Sequence, residues 1–515
     1  MNNPAESVFP RPLLEAFGRQ PDTPAFEFRS RPVRRGEVLD LVRACVANLR
    51  AAGLGPGSGV AFTTAVTPTG FAAQIAAHLL GCRVLGLRPG LTPAQLAQVL
   101  AEDIDVVVAD ATTTDPSLAA AAGATRILDA DRDLLADVPL RGDELTARGR
   151  PDDIALITLT SGSTGRPKGC AQTYRSLGEH WSWQPAGWTQ VTARLADRYR
   201  RYLVFGTLTS AVMLEHLALC LFSGGTAIIP EPPLAFPEVW ERYAVTACLC
   251  TVPRLYQVLD TLRADGAQGP RSLRALLVAG SPLPPHRLAE AVDRLGPVVH
   301  QGYGLTETGM LALLTPDDIA ERRDQVLDSV GRPLPDVGIE VRDPAGRPLP
   351  PAKAGEIWVR AGGAMSGYWG DPEQTSEVVR DGWIRTRDLG VLGADGFLRL
   401  LGRSREVVFI NAIMYYTGAI EAALTAQPTV DQAYVVASPD ERTGEAAHAF
   451  VVPAAGHDLD ASGKEALRSA VRAELGDAAV PATITTLDAV PMAPGGKPDR
   501  KALTALAAAG ATQPG

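Results

Sequence analysis

Apolar residues fall in short runs separated by helix-length stretches. Val60-Ala-Phe-Thr63, Val84-Leu-Gly-Leu87, Asp105-Val-Val-Val-Ala109 and Asp153-Ile-Ala-Leu-Ile-Thr158 are too short for buried helices and read as strands. Between them Thr69 to Leu80 is an Ala-rich helix and Thr92 to Asp103 a second helix. Residues 11–53 read as two amphipathic helices around a short strand, Ala25-Phe-Glu-Phe28. The alternation resumes with Leu276-Leu-Val-Ala-Gly280 as strand, Pro285 to Leu295 as helix and Val298-Val-His300 as strand. Repeated strand–helix alternation predicts a mainly parallel sheet flanked by helices. The most apolar region, Tyr202 to Pro230, is interrupted by Glu215-His216 and broken by Gly224-Gly225. It predicts a buried helix followed by a buried strand, not a membrane span.

From about Gly338 the texture changes. Ile339-Glu-Val-Arg, Gly355-Glu-Ile-Trp-Val-Arg and Gly396-Phe-Leu-Arg-Leu-Leu alternate with Gly/Pro/Asp turns and predict a barrel-like β subdomain over about 331–402. Beyond Gly402 the strands Ala433-Tyr-Val-Val-Ala and Ala449-Phe-Val-Val and a helix near Gly463 to Leu475 suit a small α+β domain. The expected architecture is α/β: a large N-terminal domain, 1–402, and a small C-terminal domain, 403–515, joined near Gly402-Arg403-Ser404-Arg405. The tail Ala507 to Gly515 is small and polar and is expected to fray.

Bulk numbers narrow the class. At 515 residues more than one core is expected. A net charge of -9 gives no general affinity for nucleic acid or an anionic membrane. The 6 cysteines include no Cys-x-x-Cys pair and the 7 histidines do not cluster, so a reducing, cytoplasmic setting and no structural metal are expected. The N-terminus lacks the basic start and apolar run of a signal peptide.

The chemistry starts at Leu159-Thr-Ser-Gly-Ser-Thr-Gly-Arg-Pro-Lys-Gly169, which follows a predicted strand. Gly162, Gly165 and Gly169 permit close backbone approach, and turn amides with hydroxyls can cradle an anion. Lys168 adds a charge. No Gly-Lys-Ser/Thr triplet ends the loop, so it is not a Walker A sequence. A solvated turn would share this composition. The residue order, however, closely resembles the phosphate loop of the acyl-adenylate-forming superfamily, which includes acyl- and aryl-CoA ligases, peptide synthetase adenylation domains and luciferases.

Four further motifs follow in that superfamily's order. Gln301-Gly-Tyr-Gly-Leu-Thr-Glu-Thr308 is expected just after a strand, with Tyr303 a face for adenine, Thr306 a hydroxyl and Glu307 a hard oxygen ligand for magnesium. Gly382-Trp-Ile-Arg-Thr-Arg-Asp-Leu-Gly390 resembles the segment whose Asp accepts both ribose hydroxyls. Asp388 takes that place, while Arg387 replaces the usual Gly. Gly402-Arg403 matches the hinge, and Pro491-Met-Ala-Pro-Gly-Gly-Lys-Pro-Asp-Arg500 the C-terminal motif whose Lys, here Lys497, binds the carboxylate and α-phosphate oxygens. Gly355 to Arg360 and Met365 to Gly370 match between motifs and read as structural.

The resemblance, spanning roughly residues 10–505, implies ATP-dependent adenylation with magnesium. It places nucleotide contacts on Thr160, Ser161, Gly162, Ser163, Thr164, Gly165, Lys168, Ala279, Gly280, Gln301, Gly302, Tyr303, Thr306, Asp388, Arg403 and Lys497. Catalytic work falls to Lys497, Lys168, Glu307 and Thr164. The acid pocket is expected along Thr209, Ser210, Val212, Ala279, Gly280, Tyr303 and Gly304, a neutral cavity for an aryl or short acyl acid.

Three departures bear on the substrates. Gly206 or Thr207 stands where a His or the ammonium-clamping Asp is frequent, which disfavours an α-amino acid, because a buried ammonium would lack its counter-ion. Tyr174 replaces a frequent His. In the loop that lines the thiol channel of CoA ligases, Ala412, Met414 and Ala419 replace a Gly, a polar residue and a Glu. The leading expectation is acyl-AMP formation from a small acid, then transfer to a thiol, either CoA or the phosphopantetheine arm of a separate acyl carrier protein. No carrier-attachment motif follows Lys501. The alternative keeps ATP activation with a non-thiol acceptor: amide formation, or nitrite activation for diazotisation or N-nitrosation of an aryl amine. A non-catalytic nucleotide-binding relic is opposed by the intact Lys168, Glu307, Asp388 and Lys497.

Overall fold

The computed structural model describes residues 8–511 apart from 161–166, 265, 267, 405, 412, 441 and 494–496. Ser161, Gly162, Ser163, Thr164 and Gly165, Arg405 and Ala412 of the predicted motifs therefore lie outside the described residues.

Two sheets form the body. One has seven strands in the order Gly367–Tyr368, Lys168–Thr173, Ile154–Thr160, Arg83–Gly86, Gly59–Thr63, Val106–Ala109 and Arg126–Asp129. Its last five strands run parallel. Their apolar runs follow from burial on both faces. Val60 and Phe62 enter the main core, whereas Ala61 between them enters a second core with Leu85 and Val107. The strand after the phosphate loop breaks the alternation. Lys168–Thr173 returns antiparallel against Ile154–Thr160, with Thr160 facing Lys168.

The other sheet has nine strands. Five strand-to-strand steps are parallel, running through Val299–Leu305, Ala275–Ala279, Ala247–Thr251, Arg201–Leu203, Thr226–Ile229 and Pro24–Phe28. Gly309–Leu314 and Arg332–Pro333 close one edge antiparallel, and Arg31–Arg34 the other. The expected strand at 298–300 is longer. Val299–Leu305 carries most of the second motif inside the sheet, so the motif does not follow the strand. Apolar side chains from both sheets, among them Phe26, Val60, Tyr202 and Leu277, share one core.

Residues 338–403 form an antiparallel five-stranded sheet. Its core includes Ile357, Val359, Ile384 and Leu398 and also holds Tyr303. The small C-terminal domain is a second five-stranded sheet, 407–486, carrying helices Thr417–Thr425, Ala461–Leu475 and Arg500–Ala511. The tail is helical to Ala511, against expectation. Leu503 and Ala507 are buried against Val436 and Phe450, which supplies the apolar contact that the composition concealed. A buried ion pair joins the two domains: Arg287, on helix Pro285–Leu295, grips Asp431 with two nitrogens, one at 2.6 Å. Asp431 is held down to about 2 despite its burial by hydrogen bonds from His286 and Arg287.

Candidate functional site

The site gathers where the two large sheets meet the antiparallel sheet. Gln301, Gly302, Tyr303 and Gly304 lie in the Val299–Leu305 strand, and Thr306 and Glu307 in the turn to Gly309–Leu314. Gly304 is required there: a Cβ would overlap the carbonyl of Gly309 across the hairpin. Tyr303 donates its hydroxyl to Asp388 Oδ2 at 2.7 Å. Asp388 Oδ1 meets Arg403 Nε at 3.1 Å, and Asp388 faces Arg403 in the strand register. Asp388 is buried, which raises its carboxyl, while Arg403 and the tyrosine hydroxyl oppose the rise. Each carboxylate oxygen keeps a second lone pair for a further donor such as a ribose hydroxyl.

The segment between the motifs packs against Glu307. Tyr368 donates its hydroxyl to Glu307 Oε1 at 2.9 Å, and Met365 donates its amide to Glu307 O at 2.8 Å. Lys168 donates to Gln374 and lies 5.3 Å from the Tyr368 ring centroid. Burial and the Glu307 charge together push the Tyr368 phenol up. The motif match marks Tyr368 only as structural and leaves Gln374 unmarked, because their contacts depend on the Gly367–Tyr368 strand pairing beside Lys168–Thr173.

Lys497 arrives from the small domain. It is exposed, yet its ammonium is lowered by the surrounding protein and by Arg403, against the raising charges of Glu307 and Asp388. Lys497 therefore feels the charges of both Glu307 and Asp388. Arg500 anchors the Lys497 loop, donating to Glu421 Oε1 at 2.9 Å and to the carbonyl of Val435 at 2.9 Å.

The expected acid-pocket residues fall into groups. Gly280 adopts φ +101, at the end of Ala275–Ala279, and a Cβ there would meet open space. Thr209 and Ser210 bound a cavity of about 10 Å³ with Gln74, His78, Leu208 and Leu214. Val212 is exposed. Tyr174 is part of the core, donating to the carbonyls of His78 and Cys82 at 2.9 and 2.7 Å. Ala419 lies on helix Thr417–Thr425.

No described cluster of three or more His, Cys, Asp or Glu could hold a metal by protein ligands alone. The single carboxylate of Glu307 fits a magnesium ion that takes its remaining ligands from phosphates and water.

The AMP-binding enzyme family model matches residues 13–369, and that of the AMP-binding enzyme C-terminal domain residues 419–497. The chain belongs to the AMP-binding enzyme family. It is an adenylate-forming, ATP-using ligase with a large and a small domain. Feruloyl-CoA synthase of Amycolatopsis sp is 32% identical over 461 residues, covering 87% of this chain and 89% of the relative. The amide bond synthetase McbA from Marinactinospora thermotolerans superposes with a TM-score of 0.83 at 32% identity, over 96% of this chain and 99% of McbA. The o-succinylbenzoate CoA synthetase MenE of Bacillus subtilis, solved with ATP and magnesium, shares the fold at a TM-score of 0.78 and 24% identity, over 95% and 98% of the two chains.

Proposed function

We propose that the enzyme activates a small aryl or short acyl acid, with residues 1–402 holding ATP and acid and residues 403–515 closing over them. A carboxylate oxygen of the acid attacks the α-phosphorus. The new P–O bond forms as the bond to the β-phosphate bridging oxygen breaks, giving acyl-AMP and pyrophosphate. Glu307 would hold magnesium, which when bound would neutralise phosphate charge. Lys168 and the 160–165 loop hold the phosphates, Asp388 and Arg403 the ribose, and Lys497 meets the charge that builds during in-line attack. The observation that carries this reading is the Asp388 carboxylate held between the Tyr303 hydroxyl at 2.7 Å and Arg403 Nε at 3.1 Å.

The sulfur of a thiol, CoA or the pantetheine arm of a separate carrier protein, then attacks the acyl carbon, in keeping with the CoA ligases among the relatives. The C–O bond to the phosphate breaks, AMP leaves and the thiol proton is lost. A second reading, amide formation with an amine, is favoured by the likeness to McbA along nearly the whole chain and by the altered Ala412-Ile-Met414 loop. Six cysteines, all free and buried, suit a cytoplasmic enzyme. The test is product trapping: acid, ATP and magnesium are supplied with CoA in one vessel and with a panel of amines in another. A thioester formed only with CoA upholds the first reading; an amide formed with no thiol present replaces it with the second.

A further inference from the structure

Beneath the turn that carries Thr306 and Glu307 lies a buried polar pair that the adenylation chemistry does not use. His180 and Glu215 come from separate elements, the segment before Trp181–Trp183 and the helix Ala211–Phe222. Both are almost fully buried. His180 Nδ1 is tied to Ser182 Oγ at 3.0 Å and accepts from the Ser182 amide. With Nδ1 accepting that amide, Nε2 carries the ring proton and faces Glu215 Oε1 at 3.8 Å.

The ring fills a slot between two glycines. Gly309 follows the turn directly, with φ +72, and a Cβ there would stand 2.6 Å from His180 Nε2. Gly363 lies on the other side, where a Cβ would overlap the ring. Gln172 fixes Gly363 further, donating to its carbonyl at 2.7 Å. Glu215 accepts the Trp181 indole N–H at 2.5 Å and is also engaged by the amide of Met310, the residue after Gly309. Both segments gripped in this way hold Glu307. One is its own turn; the other is the 361–365 segment, whose Met365 amide binds the Glu307 carbonyl.

We propose that His180 and Glu215 are positioning residues that clamp the Thr306–Glu307 turn from below and so set the Glu307 carboxylate for magnesium–ATP. The inference rests on the reading of Glu307 as the metal ligand given above. Outer partners of a metal ligand fix its orientation, and their loss typically costs about 10- to 100-fold in metal affinity or activity. Burial pushes the Glu215 carboxyl up to about 8, so at neutral pH it is the uncharged acid and Gln is its isostere.

The experiment measures ATP affinity by calorimetry with magnesium and, separately, in chelator, for His180→Ala, Glu215→Ala, Glu215→Gln and Trp181→Phe, with circular dichroism to establish folding. His180→Ala and Glu215→Ala are expected to weaken magnesium–ATP binding about tenfold and to leave metal-free ATP binding within about twofold, while Glu215→Gln stays near the parent. Unchanged magnesium–ATP affinity in the folded alanine variants overturns the proposal, as does an equal loss with and without magnesium. If both alanine variants fail to fold, Trp181→Phe decides. This variant deletes one hydrogen bond to Glu215 and keeps an aromatic ring, and a magnesium-specific loss of about fivefold is expected from a bond worth roughly 1 kcal/mol. No change there overturns the clamp. Because binding requires no acid, a parent enzyme that binds magnesium–ATP but activates no acid contradicts the proposed reaction and leaves the clamp to be decided by these affinities.

Discussion

The Tyr303 hydroxyl lies 2.7 Å from Asp388 Oδ2, across 85 positions of sequence. This bond ties an inner strand of the nine-stranded sheet, Val299–Leu305, to the antiparallel sheet and orients the carboxylate assigned to the ribose. Hydrogen bonds to a charged acceptor contribute about 1.5–3 kcal/mol, or roughly 10- to 100-fold. Asp388→Ala is therefore expected to raise the KM for ATP by about that factor, and Tyr303→Phe by less. Saturation curves for ATP at fixed acid check the order. An Asp388→Ala enzyme with the parent KM would remove Asp388 from the nucleotide site.

Lys497→Ala should separate chemistry from stability. The residue is exposed and belongs to no core cluster, so thermal unfolding should not move. Loss of a charge aimed at the transition state typically costs about 100- to 1,000-fold in kcat. Single-turnover adenylate formation measures it. A variant that keeps the parent rate would assign the role to another group.

Four of the buried histidines make the fold acid-sensitive. Burial lowers His78, His216 and His300 to about 3 and His180 to about 4. The unfolded chain titrates near 6.5, so between roughly 4 and 6.5 it binds more protons than the folded protein. Stability is therefore full above about 6.5 and falls as pH drops below it. Melting temperature followed from pH 7 to pH 4.5 should decline, and His300→Gln should flatten part of the slope. A level profile over that range would contradict the assignment.

Arg387 occupies the place of the usual Gly and takes φ +62 to do so. An L-residue in that region costs about 1–2 kcal/mol. Its guanidinium pairs with Glu377 at 2.5 Å, an interaction that is half exposed and worth less. Arg387→Gly should be neutral or stabilising by up to about 1 kcal/mol, and Arg387→Val destabilising. Urea midpoints for the two variants decide it; equal losses would show that the side chain, not the backbone, matters.

How far the sequence was legible follows from the kind of signal each residue gives. Runs such as Val106–Ala109 announced strands because burial on both faces leaves no polar positions. Helix Pro285–Leu295 matched its expected limits, with Pro at its start and Gly296 just past its end. The strand after the phosphate loop escaped because Lys168–Thr173 is short, partly polar and paired antiparallel. The motif order along the chain is what singles out Glu307, Asp388 and Lys497 as candidates. Tyr368, His180 and Glu215 are not singled out, since their contacts are made through sheet pairing and glycine slots that spacing does not encode. The segment from Ala507 reads as a frayed tail because its alanines look soluble until Leu503 and Ala507 meet Phe450.

The most direct test is acid-dependent exchange of labelled pyrophosphate into ATP across aryl, short-chain and amino acids, using the parent enzyme and Lys497→Ala. Strong exchange with an aryl or short acyl acid, weak exchange with α-amino acids and loss of exchange in the variant are the predicted result. No exchange with any acid, from folded protein that binds magnesium–ATP, would contradict acyl-adenylate formation.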